Sequence, residues 1–219
     1  MEDVLGVYER PFNPKRPMVC MDEGKKELRS TPRGSIRAKP GRAEREDYEY
    51  AREGSANIFM ALEPLAGKRV VKITDRRTKL DFAGFLKFLA DEVYPDSEMI
   101  VLVTDNLNTH KTACLYEAFE PAEARRLAER FEWHYTPERP KPVRCCFGVK
   151  KHGSWLNAAE IELSAMQRGC LDRRLTREEL EAEVPVWVEA RNVFAGRVNW
   201  QFRSEDARVK LRRLYPVLE

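Results

Sequence analysis

Two aspartates stand where acids can do chemistry. Asp22 closes the apolar run Met18–Met21, and Asp105 closes the run Met99–Thr104. Each run reads as a buried strand, and in an open α/β sheet ligands collect at the carboxyl ends of the strands. If the two strands are parallel neighbours, the carboxylates meet. Like charges held together repel and raise a pKa, and a bound divalent cation relieves the repulsion. Magnesium prefers oxygen ligands, commonly one or two carboxylates together with phosphate oxygens, so the pair suits a phosphodiester substrate. A third acid from a helix expected over Ser154–Gly169 would complete a two-metal clamp for in-line displacement, with the ions roughly 3.5–4 Å apart. Spacing does not choose between Glu160 and Glu162 for that role. The bland alternative is a pair of solvated turn acids, which 36 acidic residues supply readily.

The elements that must position these acids follow from patterning. Met1–Pro17 carries three prolines and reads as a short turn of helix and an extended lead-in. After the first strand, Gly24–Arg45 is rich in Lys and Arg among Gly, Pro and Ser and reads as a long basic loop. Strand-like segments at Tyr48–Arg52, Ala56–Leu65 and Arg69–Ile73 suit an antiparallel meander. Thr78–Val93 places Leu80, Phe82, Phe85, Leu86 and Leu89 at helical intervals. Met99–Thr104 is apolar throughout, as a strand buried on both faces requires. Helices at Ala113–Phe119 and Ala122–Phe131, a strand at Glu132–Tyr135, a loop over Thr136–Gly153, the helix capped by Ser154, and helices at Arg177–Ala195 and Asp206–Leu214 complete the chain. The order predicts an α/β fold, a mixed sheet with helices on its faces.

Composition narrows the class. The 219 residues are enough for one sizeable core, and 39 basic against 36 acidic residues leave a formal net charge of +3. The distribution is more informative than the sum. The basic loop, with Lys25, Lys26, Arg29, Arg33 and Arg37, is the best candidate for contact with DNA phosphates; a merely solvated charged loop is its alternative. Five cysteines at irregular spacings without a CxxC pair argue against a disulfide framework and a zinc ribbon. Cys145 and Cys146, taken with Cys114 and His152, match no tetrahedral ligand pattern. No apolar run reaches the roughly 20 residues that span a membrane, and the N-terminus lacks signal-peptide order. A cytoplasmic protein is expected.

The blocks VCMDE (19–23), TDRRTKLDFAGFL (74–86), IVLVTDNLNTH (100–110), LYEAFEPAEARRLAERFEWHYTP (115–137), KHGSWLNAAEIELS (151–164) and CLDRR (170–174) resemble the DDE transposases of the bacterial insertion-sequence 630 family, distant relatives of mariner elements. The resemblance implies an RNase H-like fold over 18–219, with a helical C-terminal part from about 171. It implies a catalytic and metal-holding triad of Asp22, Asp105 and Glu160, selecting Glu160 over Glu162, with two Mg²⁺ or Mn²⁺ ions. Asn106, Asn108, His110, Trp155 and Asn157 are implied as active-site support. The implied partners are double-stranded DNA, as transposon ends and target, and a second copy of the chain, in a nucleoid-associated setting. The implied reaction is hydrolysis of a phosphodiester at the element's end, followed by attack of the freed 3′-hydroxyl on target DNA.

The chain departs from that family in two places. Members carry an N-terminal helix-turn-helix that reads the inverted repeats, and nothing before Met18 supplies one, so a separate polypeptide is expected to provide it or the copy is truncated. Glu138–Lys150 separates two blocks that normally abut in the family; it reads as an exposed insertion, at little entropic cost, or as the scar of a decaying gene. Two alternatives therefore accompany the transposase reading. One is an RNase H-like endonuclease without strand transfer, and the other is an inactive copy that binds DNA or a transposase.

Overall fold

The computed structural model describes all residues except 33–37, 43–47, 108, 138–154, 195, 213–214 and 216–219. A five-stranded mixed sheet forms the centre, with strand order β3-β2-β1-β4-β5. The strands are β1 (Met18–Ser30), β2 (Ala51–Glu63), β3 (Lys68–Thr74), β4 (Ile100–Thr104) and β5 (Phe131–Tyr135). β1, β2 and β3 form the antiparallel meander, while β4 runs parallel to both β1 and β5. The expected mixed sheet flanked by helices is present.

Alternation along the strands builds two cores. Val19, Met21, Phe59, Ala61, Ile100 and Leu102 face α2 (Lys79–Phe88), α3 (Ala113–Ala118) and α4 (Pro121–Glu129). Met18, Cys20, Ile58, Met60, Val101 and Val103 face the opposite layer, made by α1 (Glu2–Tyr8), α5 (Ala158–Gly169) and α6 (Arg177–Val193), with α7 (Ser204–Lys210) beside α1. Each fully buried Phe, Leu or Ile contributes roughly 1.5–3 kcal/mol. Helix α2 begins at a capping box in which Thr78 accepts from the Asp81 amide and Asp81 accepts from the Thr78 amide. It ends in a π-helical turn over Leu89–Val93.

Several expectations require correction. The basic loop does not begin at Gly24, because β1 continues to Ser30 and pairs with β2 along its whole second half. Its polar residues are compatible with an antiparallel strand that has one solvated face, and Leu28 supplies the inward anchor. The two segments expected at Tyr48–Arg52 and Ala56–Leu65 are one strand. It passes through Gly54 at φ 99, next to the register shift at Leu28/Arg29; a residue with a side chain rarely takes this backbone, so the glycine that reads as a break is a bulge. Helix α5 begins at Ala158 with Asn157 as its cap, whereas the cap expected at Ser154 lies outside the described residues. The insertion 138–150, with Cys145 and Cys146, also lies outside them, as do His152, Arg33, Arg37 and Asn108. Cys20, Cys114 and Cys170 are buried free thiols. Among the described residues no helix is long and apolar enough to cross a membrane.

The first 17 residues are tied into the fold. Val4, Leu5, Val7 and Tyr8 of α1 are buried in the core that also holds α5. Near the other end of the chain, the Val198 amide donates to the Pro64 carbonyl, and Trp200 stacks on Tyr8 with ring centroids 4.7 Å apart.

Candidate active site

The parallel pairing of β1 with β4 matches Met18 to Val101, Val19 to Leu102 and Cys20 to Val103. The same offset carried forward sets Asp22 level with Asp105. Because Cys20 and Val103 face α5, the strand period of two carries Asp22 to that face, while Asp105 follows the end of β4 at Thr104 and is hydrogen-bonded to His110. Asp22 does not end its strand, as the sequence reading expects. It sits where β1 leaves β4 and continues with β2 alone, opposite Met60.

Glu160 arrives from across the sheet in the first turn of α5. Gly24 permits the close packing, since a Cβ there would lie 3.3 Å from Leu163 Cδ2. The start of the helix is fixed in detail. Asn157 is buried; its side-chain oxygen accepts from the Ala159 amide at 3.1 Å, and its Nδ2 donates to the Met21 carbonyl at 2.8 Å. Asn157 therefore caps α5 and joins it to the residue before Asp22.

Glu160 and Glu162, equivalent by spacing, have different surroundings. The Glu162 side chain is 2% exposed and accepts from Arg69 at 2.9 Å and from Arg191 at 2.9 Å. Burial would raise its pKa, but the two guanidinium groups outweigh burial and hold it below the usual range. Glu160 instead adds its negative charge to the field at Asp22. Burial pushes the Asp22 carboxyl up to about 7, and the nearby charges of Glu160, Asp105 and Glu23 add to this, against the Glu23 amide that donates to it at 2.7 Å. The charges acting most strongly on Asp22 are all acidic.

His110, expected only as support, lies between two acids. Its Nδ1 is hydrogen-bonded to Asp105, its Nε2 lies 2.8 Å from Glu23 Oε1, and its ring stacks on Phe82 at 4.4 Å. Burial lowers its pKa, but the bonds to Asp105 and Glu23 outweigh burial and carry it up to about 9. Arg77 Nε approaches Glu23 Oε2 at 3.1 Å. Glu23 and Arg77 were missed by sequence reasoning. Glu23 adjoins Asp22 but, by alternation, points to the other face, and only the fold shows that His110 reaches it. Asn106 follows Asp105 in an exposed loop. Trp155 is 44% exposed and meets the Phe202 ring edge-on at 5.3 Å.

Among the described residues no three of these side chains close into a set with metal-ligand spacing, and Asp105 is turned toward His110. The donor chemistry nonetheless fits a hard cation. The offered atoms are carboxylate oxygens, suited to Mg²⁺ or Mn²⁺, and a cation beside Asp22 would offset the acidic field that raises its pKa.

The expected cationic residues divide. Lys25 is exposed on β1. Lys26 is turned inward and donates to the carbonyls of Leu171 and Arg173, which removes it from a surface role. Arg29 pairs with Glu27 and lies 4.5 Å over the Tyr50 ring.

A mixed five-stranded sheet with parallel pairing of β1, β4 and β5 and helices on both faces defines an RNase H-like domain. The family model of the DDE superfamily endonucleases matches residues 17–181, and the chain belongs to that family. Its fold is similar to that of the chain in a crystal structure of the Mos1 mariner paired end complex with Mn, with a TM-score of 0.51 and 15% identity. That likeness covers 88% of this chain and 54% of the other. A crystal structure of the Mos1 strand transfer complex is similar at a TM-score of 0.51 and 12% identity, covering 88% and 53%. The chain thus spans about half the length of either. A search of curated protein sequences finds no match.

Proposed function

We propose that this chain is the catalytic domain of a cut-and-paste DNA transposase of the bacterial insertion-sequence 630 family. Asp22, Asp105 and Glu160 hold two Mg²⁺ or Mn²⁺ ions against a phosphodiester. The observation that carries the proposal is the parallel register that sets Asp22 level with Asp105, beside the sheet face covered by α5, whose first turn carries Glu160. When bound, such a pair of ions stabilises both the attacking and the leaving oxygen of an in-line displacement.

The protein's own residues supply position. Asn157 fixes the helix that carries Glu160, and His110 is hydrogen-bonded to Asp105. Lys25 and Arg29 of β1 are the described cations of the basic segment that would make sequence-independent contact with DNA phosphates. Two copies of the chain act on paired ends.

A second reading, an inactive copy that binds DNA or a transposase without cutting, is favoured by one observation: the described side chains do not close into a metal-ligating set. A duplex substrate carrying a 3′-hydroxyl end, incubated with target plasmid and Mg²⁺ or Mn²⁺, separates the readings. Cleaved and joined products support the transposase. Cleavage without joining supports an RNase H-like endonuclease, and DNA binding without either supports the inactive copy.

A further inference from the structure

The first turn of α5 has to be held still if Glu160 is to meet the two aspartates, and its exposed-end amides need partners. The Ala159 amide is taken by the Asn157 side chain and the Glu160 amide by the Asn157 carbonyl at 3.1 Å. The Ala158 amide is taken by a residue 150 positions away, donating to the Tyr8 hydroxyl at 3.1 Å. That hydroxyl donates its one proton to the Leu156 carbonyl at 2.6 Å. Cys20 Sγ lies 3.3 Å from the same oxygen; with the Tyr8 proton already committed, the thiol is the donor. The phenol thus uses its proton and both lone pairs, and burial raises the pKa of both groups, keeping them neutral.

From this geometry we infer that Tyr8 is a positioning residue for Glu160: its hydroxyl clamps the turn Leu156–Ala158 and ties it to Cys20, two residues before Asp22 on the same face of β1. The inference rests on the reading of Glu160 as a metal-holding acid. Tyr8 lies ahead of the segment matched by the family model, which begins at residue 17, so the clamp comes from outside that segment. The clamp itself has a defined support. Val4, Leu5 and Val7 bury α1, and the Tyr8 ring stacks on Trp200 at an interplanar angle of 17°. Leu156 and Ala158 are fully buried, so no water replaces a lost hydroxyl.

Tyr8→Phe keeps the ring on Trp200 and removes only the hydroxyl. Two readouts test it, amide hydrogen exchange resolved along the chain and Mn²⁺ affinity by paramagnetic resonance titration. The inference expects exchange in the first turn of α5 to rise on the order of tenfold, the loss of one buried hydrogen bond, with α6 and β4 unchanged. It also expects Mn²⁺ to bind several-fold more weakly. Unchanged exchange in that turn, a uniform rise across the chain, or faster local exchange with unaltered Mn²⁺ affinity would each overturn it, the last by reducing Tyr8 to a structural part. If the unsubstituted protein binds no Mn²⁺ while Glu160→Gln is equally silent, the metal reading falls and the positioning role falls with it, even where the exchange result shows that the hydroxyl holds the turn.

Discussion

Asn157 donates to the carbonyl of Met21 at 2.8 Å, so the cap of α5 is hydrogen-bonded to the residue that precedes Asp22. One side chain thereby sets both the start of the helix and its distance from the strand. Asn157→Ala removes the cap and leaves the Met21 carbonyl without this donor, and should cost about 1–3 kcal/mol in urea unfolding. Asn157→Asp keeps the capping acceptor but loses the donor, and should recover only part of that loss. Full recovery by aspartate would show that the link to Met21 contributes nothing.

Glu160 and Glu162 should separate cleanly. Glu162→Gln leaves Arg69 buried without its counter-charge and should cost about 3–5 kcal/mol. Glu160→Gln removes a repulsion on Asp22 and should leave stability within about 0.5 kcal/mol of the unsubstituted protein or raise it, while strand cleavage drops on the order of 10³-fold or more. Equal stability losses for the two variants would contradict the assignment.

The edge of β5 gives a pH dependence. Burial raises the Glu132 carboxyl, but His134, Arg10 and Arg16 outweigh it and hold the group down to about 2, from an ordinary 4.5. A depressed acid adds stability above its unfolded pKa, and that stability is lost as pH falls through the folded value. The loss should therefore run from about pH 4.5 to pH 2, on the order of 2 kcal/mol, and be flattened by Glu132→Gln. An identical acid profile for the variant would remove Glu132 from the account.

Lys25→Ala with Arg29→Ala should weaken DNA binding and reduce the slope of log affinity against log salt by about 2, one phosphate contact for each cation. Lys26→Ala should act on stability more than on that slope, because its ammonium is committed to the carbonyls of Leu171 and Arg173. A slope set by Lys26 alone would reverse this division.

Much of the fold is legible in the sequence where burial imposes a pattern. β4 is covered on both faces, so Ile100–Thr104 reads as an unbroken apolar run, and α2 carries its core stripe at helical spacing. The second half of β1 is not legible, since Leu28 is the only deeply buried residue among Gly24–Ser30 and strand pairing with β2, not local patterning, holds it extended. Asp22 and Asp105 are marked by the runs they follow. The difference between Glu160 and Glu162 is written in Arg69 and Arg191, far away in the chain, and the partners of His110 and Tyr8 are equally non-local. Such contacts exist only once the sheet has formed.

The central claim is most directly tested by anomalous scattering from crystals of the protein grown with saturating Mn²⁺. The account predicts manganese peaks coordinated by carboxylate oxygens of Asp22, Asp105 and Glu160, with Asp105 turned from His110 toward the metal. Manganese absent from that site, or bound there through Glu23 or Glu162 in place of Glu160, would contradict it.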